Sequence, residues 1–439
     1  MVIGIIGLVL GIVVMVLGAY SGIEAIPLTL LAGLVVILFN QMPIWDTFAT
    51  VYAGGFAATV QNYFFIFVSS AVYAKIMESS KATTAIGYKL IDWFGKDRAV
   101  LVSALFVSVL TYGGVSLFVV IFAAGPIMFL LFKEADLPRH LTMGCLVMGC
   151  ATYTMTCLPG SPQLTNVIPA QFLGTPMTAA PVLSIIASIL MFAMNYGYLV
   201  FAEKLARKRD EHWTFPEGYN EAAFTVSSRS ELPSAGTSFA PIIALIIIII
   251  AGSRIITNSA MLTTIAMIVA FLLCLILNYK HLKGQSIKKI LGTGSINAIN
   301  AMIGLGAVVG FGTLVSNAPS FQNIVQWVLG VEMSPYFKGV FATGVIAGIT
   351  GSSSGGVRIC LQNMADYFIA SGCDLQKLHR LMSIAAGSLD TLPHASGLFL
   401  MLSYLGLTHK EGYRHIFVIS VLEPLILSIV LAAVCTMIA

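Results

Sequence analysis

The chain has 439 residues, of which 58% are apolar and only 10% charged, with a mean hydropathy of +0.92. Soluble domains carry about 25% charged residues, so composition excludes a water-soluble enzyme, a secreted disulfide scaffold and a nucleic-acid binder. The net charge of +4, from 23 basic and 19 acidic residues, then serves mainly to set orientation across a bilayer.

A helix needs about 20 apolar residues to cross a bilayer. Residues 2–20 lack a basic leader and are followed closely by a second apolar run, so they are expected to be a retained span rather than a cleaved signal. Further spans are expected at 24–40, 55–75, 178–201, 239–257, 260–279, 296–316 and 412–438. Four other apolar stretches are interrupted. The stretch 99–132 breaks at Thr111 to Ser116, and 140–157 runs into Leu158-Pro159-Gly160-Ser161-Pro162-Gln163. In the second half, 337–371 breaks at Thr350 to Gly356, and 377–405 breaks at Asp390 to Gly397.

Basic residues fix the sidedness. Lys204, Arg207, Lys208 and Arg209 place the 202–237 segment in the cytoplasm, and Lys280, Lys283, Lys288 and Lys289 lie on the same side two crossings later. Lys75, Lys81, Lys89, Lys96 and Arg98 belong there too. A full crossing by 99–132 would put the 202–209 cluster outside. A re-entrant hairpin with its tip at Tyr112 to Ser116 removes the conflict. Such a tip is tolerated only where it is buried in protein or lines a cavity.

The expected fold is therefore an all-α polytopic membrane protein. It has two inverted repeats, 1–201 and 238–439, joined by the cytoplasmic linker 202–237. Each repeat holds about five transmembrane helices, some discontinuous, and one re-entrant hairpin. Gly113-Gly114-Val115 returns as Gly355-Gly356-Val357, and Thr156-Cys157-Leu158-Pro159 returns loosely as Thr391-Leu392-Pro393. Paired discontinuous helices in two halves point to a secondary transporter.

The breaks carry the candidate chemistry, because a broken helix frees N–H groups at one new end and carbonyls at the other. Substrate contacts are expected from Tyr112, Gly113, Gly114 and Ser116, and from Gly160, Ser161, Gln163 and Asn166. The second half adds Ser352, Ser353, Ser354, Gly355, Gly356 and Arg358, with Thr391 and His394. The alternative is that such Gly and Ser runs only allow close helix packing. Arg358, at a glycine-rich tip, can hold a carboxylate through paired hydrogen bonds or can pair with Asp366. Asp390, His394 and Glu423 are the candidate proton carriers, since ionisable groups within the membrane mark function by default. His140, His379, His409 and His415 fall in short loops and are expected to be solvated or interfacial. The seven cysteines lack zinc-ligand spacing and read as buried free thiols. No metal, cofactor or enzyme signature is present: there is no Walker loop, no nucleophile elbow and no selectivity filter.

Four segments together resemble the gluconate permease family of the ion transporter superfamily. They are Ala71 to Gly95, Gly113 to Pro126, Leu158 to Pro162, and Gly387 to Asp390 followed by Ser396-Gly397. Glu423 falls where such permeases carry an acid. The resemblance implies proton-coupled symport of a small hydroxymonocarboxylate into bacteria, hence a place in the cytoplasmic (inner) membrane. It also implies a homodimer, with a static scaffold and a mobile transport domain. Leu30 to Phe39 and Ala266 to Leu277 are expected at the dimer contact. The segments at 158–162 and 352–358 depart from the gluconate pattern, which favours a short hydroxy acid such as 3-hydroxybutyrate. A sodium-coupled carrier of the same fold is the main alternative. A channel or a non-transporting scaffold comes after it.

Overall fold

Every regular element among the described residues is a helix, as hydrocarbon demands of a backbone that must satisfy its own hydrogen bonds. The computed structural model describes residues 2–112, 117–161, 163–216, 229–252, 255–256 and 259–438. The first half runs α1 (Val2–Tyr20), α2 (Ala25–Phe39), α3 (Ile44–Ser79), α4 (Ala82–Phe94), α5 (Ala99–Tyr112), α6 (Leu117–Glu134), α7 (His140–Cys150), α8 (Leu164–Leu173) and α9 (Pro181–Lys208). The second half runs α10 (Ala235–Gly252), α11 (Ser259–Leu277), α12 (Ile287–Asn317), α13 (Pro319–Gly330), α14 (Pro335–Thr350), α15 (Ser353–Ala370), α16 (Leu375–Ala386), α17 (Ser396–Leu405) and α18 (His409–Met437).

Seven of these helices are long and apolar enough to cross a membrane: α1, α3, α9, α10, α11, α12 and α18. The ten crossings expected from the sequence need three more. The short apolar α2 and the broken pairs α7/α8 and α16/α17 stand where those are required. Helices α5 and α6 pack on each other, and so do α14 and α15. They form two hairpins at the places expected. Residues 113–116, the expected first tip, lie outside the described residues. Helix α9 continues to Lys208, so the linker expected to begin at 202 starts as helix. Its basic residues Arg207 and Lys208 sit in the last turn, where they complement the carbonyl end.

The outer surface is greasy, as lipid contact requires. Helix α1 exposes Val2, Ile3, Val9 and Leu17 and turns its glycines inward. A Cβ on Gly7 would lie 2.1 Å from Phe39, and one on Gly18 would lie 2.2 Å from Leu28. Glycine is therefore what lets α1 and α2 approach, the small-residue packing typical of membrane helices.

Long helices α3 and α12 pack antiparallel along each other, from Gly294 against Val72 to Gly310 against Tyr52, with α2 on α12 and α11 on α3. Helix α13 packs on α1, and α4 packs on α10. Each amphipathic helix thus rests on the first helix of the other half. The hairpins and broken helices form a second group, in which α5 packs on α7, α14 on α16, and α8 on both α15 and α16.

Candidate functional site

The two helix breaks meet inside the second group. A Cβ on Gly387, in the second break, would lie 2.7 Å from Thr156 Cγ2 in the first. The breaks nevertheless differ sharply in how their polar groups are satisfied.

The side chains of the first break are held by many hydrogen bonds among the described residues. Asn166 donates through Nδ2 to the carbonyls of Ser161 at 2.8 Å and Met177 at 2.9 Å. Its Oδ1 accepts from Arg380 Nη2 at 3.0 Å and faces His379 Nε2 at 2.8 Å. Arg380 also donates from Nε to Ser184 Oγ and from Nη1 to the Thr156 carbonyl, both at 2.7 Å. The Ser161 hydroxyl donates to the Thr154 carbonyl at 2.8 Å, and Gln163 Nε2 to the Thr111 carbonyl at 3.0 Å. The Tyr112 hydroxyl bonds the Pro159 carbonyl at 3.0 Å. Gly160 has φ +78°, a value that suits a residue without Cβ. Its N–H bonds the Met177 carbonyl at 3.0 Å.

The buried arginine of the membrane interior is thus Arg380, at 0% exposure, and not Arg358. Arg358 is exposed on α15 and forms no ion pair with Asp366 among the described residues. The expectation for the histidines is corrected as well. His379 and His415 are fully buried and His409 nearly so; both ring nitrogens of His379 and His415, and Nε2 of His409, meet polar partners inside the fold. His379 Nδ1 sits 2.7 Å from Thr175 Oγ1, and His409 Nε2 3.2 Å from the Pro393 carbonyl. The local sequence Leu378-His379-Arg380-Leu381 does carry a signal for this. Two basic side chains interrupt an apolar run with no acid beside them in the helix.

The second break keeps open polar groups. Ser352 caps α15 by accepting from Gly355 N–H at 3.1 Å. The N–H groups of Ser353 and Ser354 fall in the first turn, where no carbonyl inside the helix can reach them. Asp390 and His394 are 8% and 4% exposed. Asp390 lies beside the Ser353 hydroxyl and His394 beside the carbonyls of Gly348 and Ile349. Asp390 Oδ1 and both His394 ring nitrogens still lack a well-formed hydrogen bond among the described residues. A cavity of about 270 Å³ opens here between α12 and the hairpin tip, lined by Thr313, Ser316, Thr350, Ser352, Gly355 and His394 among others. A second cavity, of about 250 Å³, lies further along α12 between α3, α6 and α17, with Lys75, Glu78, Asn297, Asn300 and Tyr404 in its wall.

The structure thus gathers Ser352, Ser353, Gly355, Asp390 and His394 at one place. Ser354 is next to them on α15, half-buried. Gly356 faces the other way, where a Cβ would come 2.4 Å from Ala347 Cα; its role is packing. Thr391 turns its hydroxyl to Ser420 Oγ at 3.0 Å. Glu423 accepts from Asn195 Nδ2, and Asn195 Oδ1 accepts from Thr152 Oγ1 at 2.7 Å. Gly113, Gly114 and Ser116 lie outside the described residues.

Comparison with known proteins supports a transport role. The profile of the GntP family permeases matches residues 1–439. A relative from Bacillus subtilis (strain 168), named as the uncharacterized transporter YxjC, is 29% identical over 442 residues, covering 92% of this chain and 93% of the relative. A match over the full chain, on a multi-pass helical fold with two broken helices, identifies this protein as a member of the GntP permease family, a membrane transporter and not an enzyme.

Proposed function

We propose that the protein is a proton-coupled symporter of a small hydroxymonocarboxylate, of the 3-hydroxybutyrate or gluconate kind, in the bacterial cytoplasmic membrane. One observation carries the reading. The cavity at the second hairpin tip is lined by Ser352, Gly355 and His394; the helix start that Ser352 caps continues through Ser353 and Ser354, Asp390 lies against the Ser353 hydroxyl, and both Asp390 and His394 are buried with polar atoms that lack a good partner among the described residues. Free N–H groups at a helix start hold a carboxylate, and the Thr313, Ser316 and Thr350 hydroxyls suit a substrate hydroxyl. A carboxyl or imidazole next to that carboxylate gains or loses a proton as the substrate's charge arrives.

The packing supports alternating access by two inverted repeats, 1–201 and 238–439. Exchanging the halves maps most helix contacts onto one another, as with α2 on α12 and α11 on α3. The exchange fails in one region. Helix α6 packs on α3 and α17 packs on α12, while their counterparts α15 and α8 make no comparable contact with α12 and α3. That asymmetry is what one end state of an elevator-type cycle would have, and swapping it between repeats would give the other. The exposed Leu30, Leu31 and Leu38, with Ile268, Leu272 and Ile276, offer the apolar surface for a homodimer on the scaffold.

The test is uptake by the purified protein in lipid vesicles, using radiolabelled 3-hydroxybutyrate and gluconate, with pH and sodium gradients imposed separately. Accumulation driven by the pH gradient is expected. Accumulation driven by sodium alone would replace the proton reading with a sodium-coupled one. Flux that never exceeds equilibrium would remove symport.

A further inference from the structure

At the end of the molecule that carries the linker, four titratable side chains touch in series. His140, the first residue of α7, sets Nε2 2.6 Å from Glu211 Oε2 and Nδ1 2.8 Å from His415 Nε2. His415 lies on α18, and its Nδ1 is 3.1 Å from the Tyr198 hydroxyl on α9. The two imidazoles lie nearly parallel, 9° apart, with centroids separated by 5.0 Å. Access to water rises along the series: His415 is 1% exposed, while the side chains of His140 and Glu211 are 16% and 28% exposed.

The buried end of the series leads toward Glu423. Tyr198 and Asn195 are one turn apart on α9, and Asn195 donates to the Glu423 carboxyl. His415 and Glu423 are on one helix, with Ile419 between them offering its carbonyl to Asn195 at 3.3 Å. Tyr198 is close enough for the charge of Glu423 to act on it. Along α9, Tyr198 stands about 4.5 Å of helix rise from Asn195, the residue that holds the Glu423 carboxyl.

We propose that Tyr198, His415, His140 and Glu211 form a proton pathway between the buried Glu423 carboxyl and the cytoplasm. The inference rests on the proton-coupled reading above and adds Glu423 as a second buried proton carrier besides Asp390 and His394, with its route to water. In the outbound sense, Glu423 gives its proton to the Tyr198 oxygen while the Tyr198 hydroxyl proton passes to His415 Nδ1. The Nε2 proton of His415 moves to His140 Nδ1, and that of His140 Nε2 moves to the Glu211 carboxylate, which releases it to water. One proton is transferred, and no electrons move. Each imidazole can serve because its two nitrogens exchange donor and acceptor roles.

The charged groups around the pair are Arg414, Glu411 and Arg139. Arg414 approaches His415 Nε2 at 3.3 Å and the two His140 nitrogens at 3.5 and 3.4 Å. It competes for the same lone pairs, so its position decides in which sense the hydrogen bonds run.

Two vesicle readouts separate a pathway from a scaffold, again with radiolabelled 3-hydroxybutyrate and gluconate. One is accumulation driven by an imposed pH gradient, and the other is counterflow, which needs no net proton movement. Accumulation by His415→Ala, His140→Ala, Tyr198→Phe and Glu211→Gln is expected to fall roughly tenfold or more, with counterflow retained. Added imidazole should restore accumulation in the two histidine variants. If the histidine variants do not fold, Tyr198→Phe and Glu211→Gln decide, since both keep shape. Variants that accumulate like the parent, or that lose counterflow in proportion, would overturn the pathway and leave proton coupling standing. A parent that accumulates neither acid under a pH gradient removes the coupling and the pathway together.

Discussion

Asp390 and Arg380 show how differently two buried charged side chains can be used. Arg380 has three of its donors on protein oxygens, so it fastens α16 to the first break and to α9. Arg380→Leu would remove the donor to the Thr156 carbonyl, at a cost of about 1–3 kcal/mol, while the Ser184 hydroxyl would keep its bond to the Ala179 carbonyl at 2.9 Å. Arg380→Lys should recover only part of this, because one ammonium cannot reproduce the planar fork. Thermal unfolding in detergent, read for both variants, checks the order parent, Lys, Leu. Asp390 by contrast has an oxygen without a hydrogen-bond partner, the condition of a group whose partner comes and goes. Asp390→Asn should abolish accumulation under a pH gradient while sparing exchange. If it accumulates substrate as the parent does, the carrier is elsewhere. A third residue-scale expectation concerns the linker. His212 Nδ1 lies 2.8 Å from Asp136 Oδ2, which also docks the Trp213 N–H through Oδ1 at 3.1 Å. The pair raises the His212 pKa and lowers that of Asp136, in each case chiefly through their hydrogen bond. Docking should weaken as pH rises through the raised His212 value, and again as pH falls through the lowered Asp136 value. Hydrogen exchange at Trp213 across pH reports it.

Among the elements, the second hairpin shows that neighbouring glycines can have unrelated reasons. Gly351 ends α14 at φ +60°, and its own Cβ would press on Ala395 at 3.2 Å. Gly356 is where α15 touches α14, and Gly355 faces the cavity. Gly356→Val should force the hairpin apart, costing about 1–3 kcal/mol or more by overpacking, and should lower both melting temperature and transport. Gly355→Ala meets the Ser352 side chain at 3.1 Å and the Thr350 hydroxyl at 3.9 Å. It should leave the melting temperature near the parent's and raise KM. Equal melting temperatures for the two variants would count against this division.

For the whole molecule, contacts sort by end. Lys81 with Glu231, Arg229 with Asp92, and Gln285 with the Ser79 carbonyl gather at the linker end. Asn40 with Ser320, and Tyr336 with the Asp374 N–H, gather at the other. A single orientation accounts for all of them. Cysteine placed at Ser230 should therefore label only from the cytoplasmic side in intact cells. Labelling from outside would overturn the topology.

The sequence by itself determined the all-helical membrane class and the places where apolar stretches are interrupted, because apolar length and glycine or proline interruptions are local properties of the chain. It also placed Asp390, His394 and Ser352 to Gly355 at a break, since a break is visible as Pro, Gly and Ser within an apolar run. Tertiary structure decided which polar groups remain free. Asn166 and Ser161 look as available as Ser353 in the chain, yet Arg380 and His379 approach from more than 200 residues away and engage Asn166. Arg358, a candidate carboxylate ligand by its place at a glycine-rich tip, falls on the exposed face of α15, which only the packing of the helix decides. The pairing of His140 with His415 joins residues 275 positions apart. Their chain neighbours suggest loops, and only the packing of α7 against α18 brings them together.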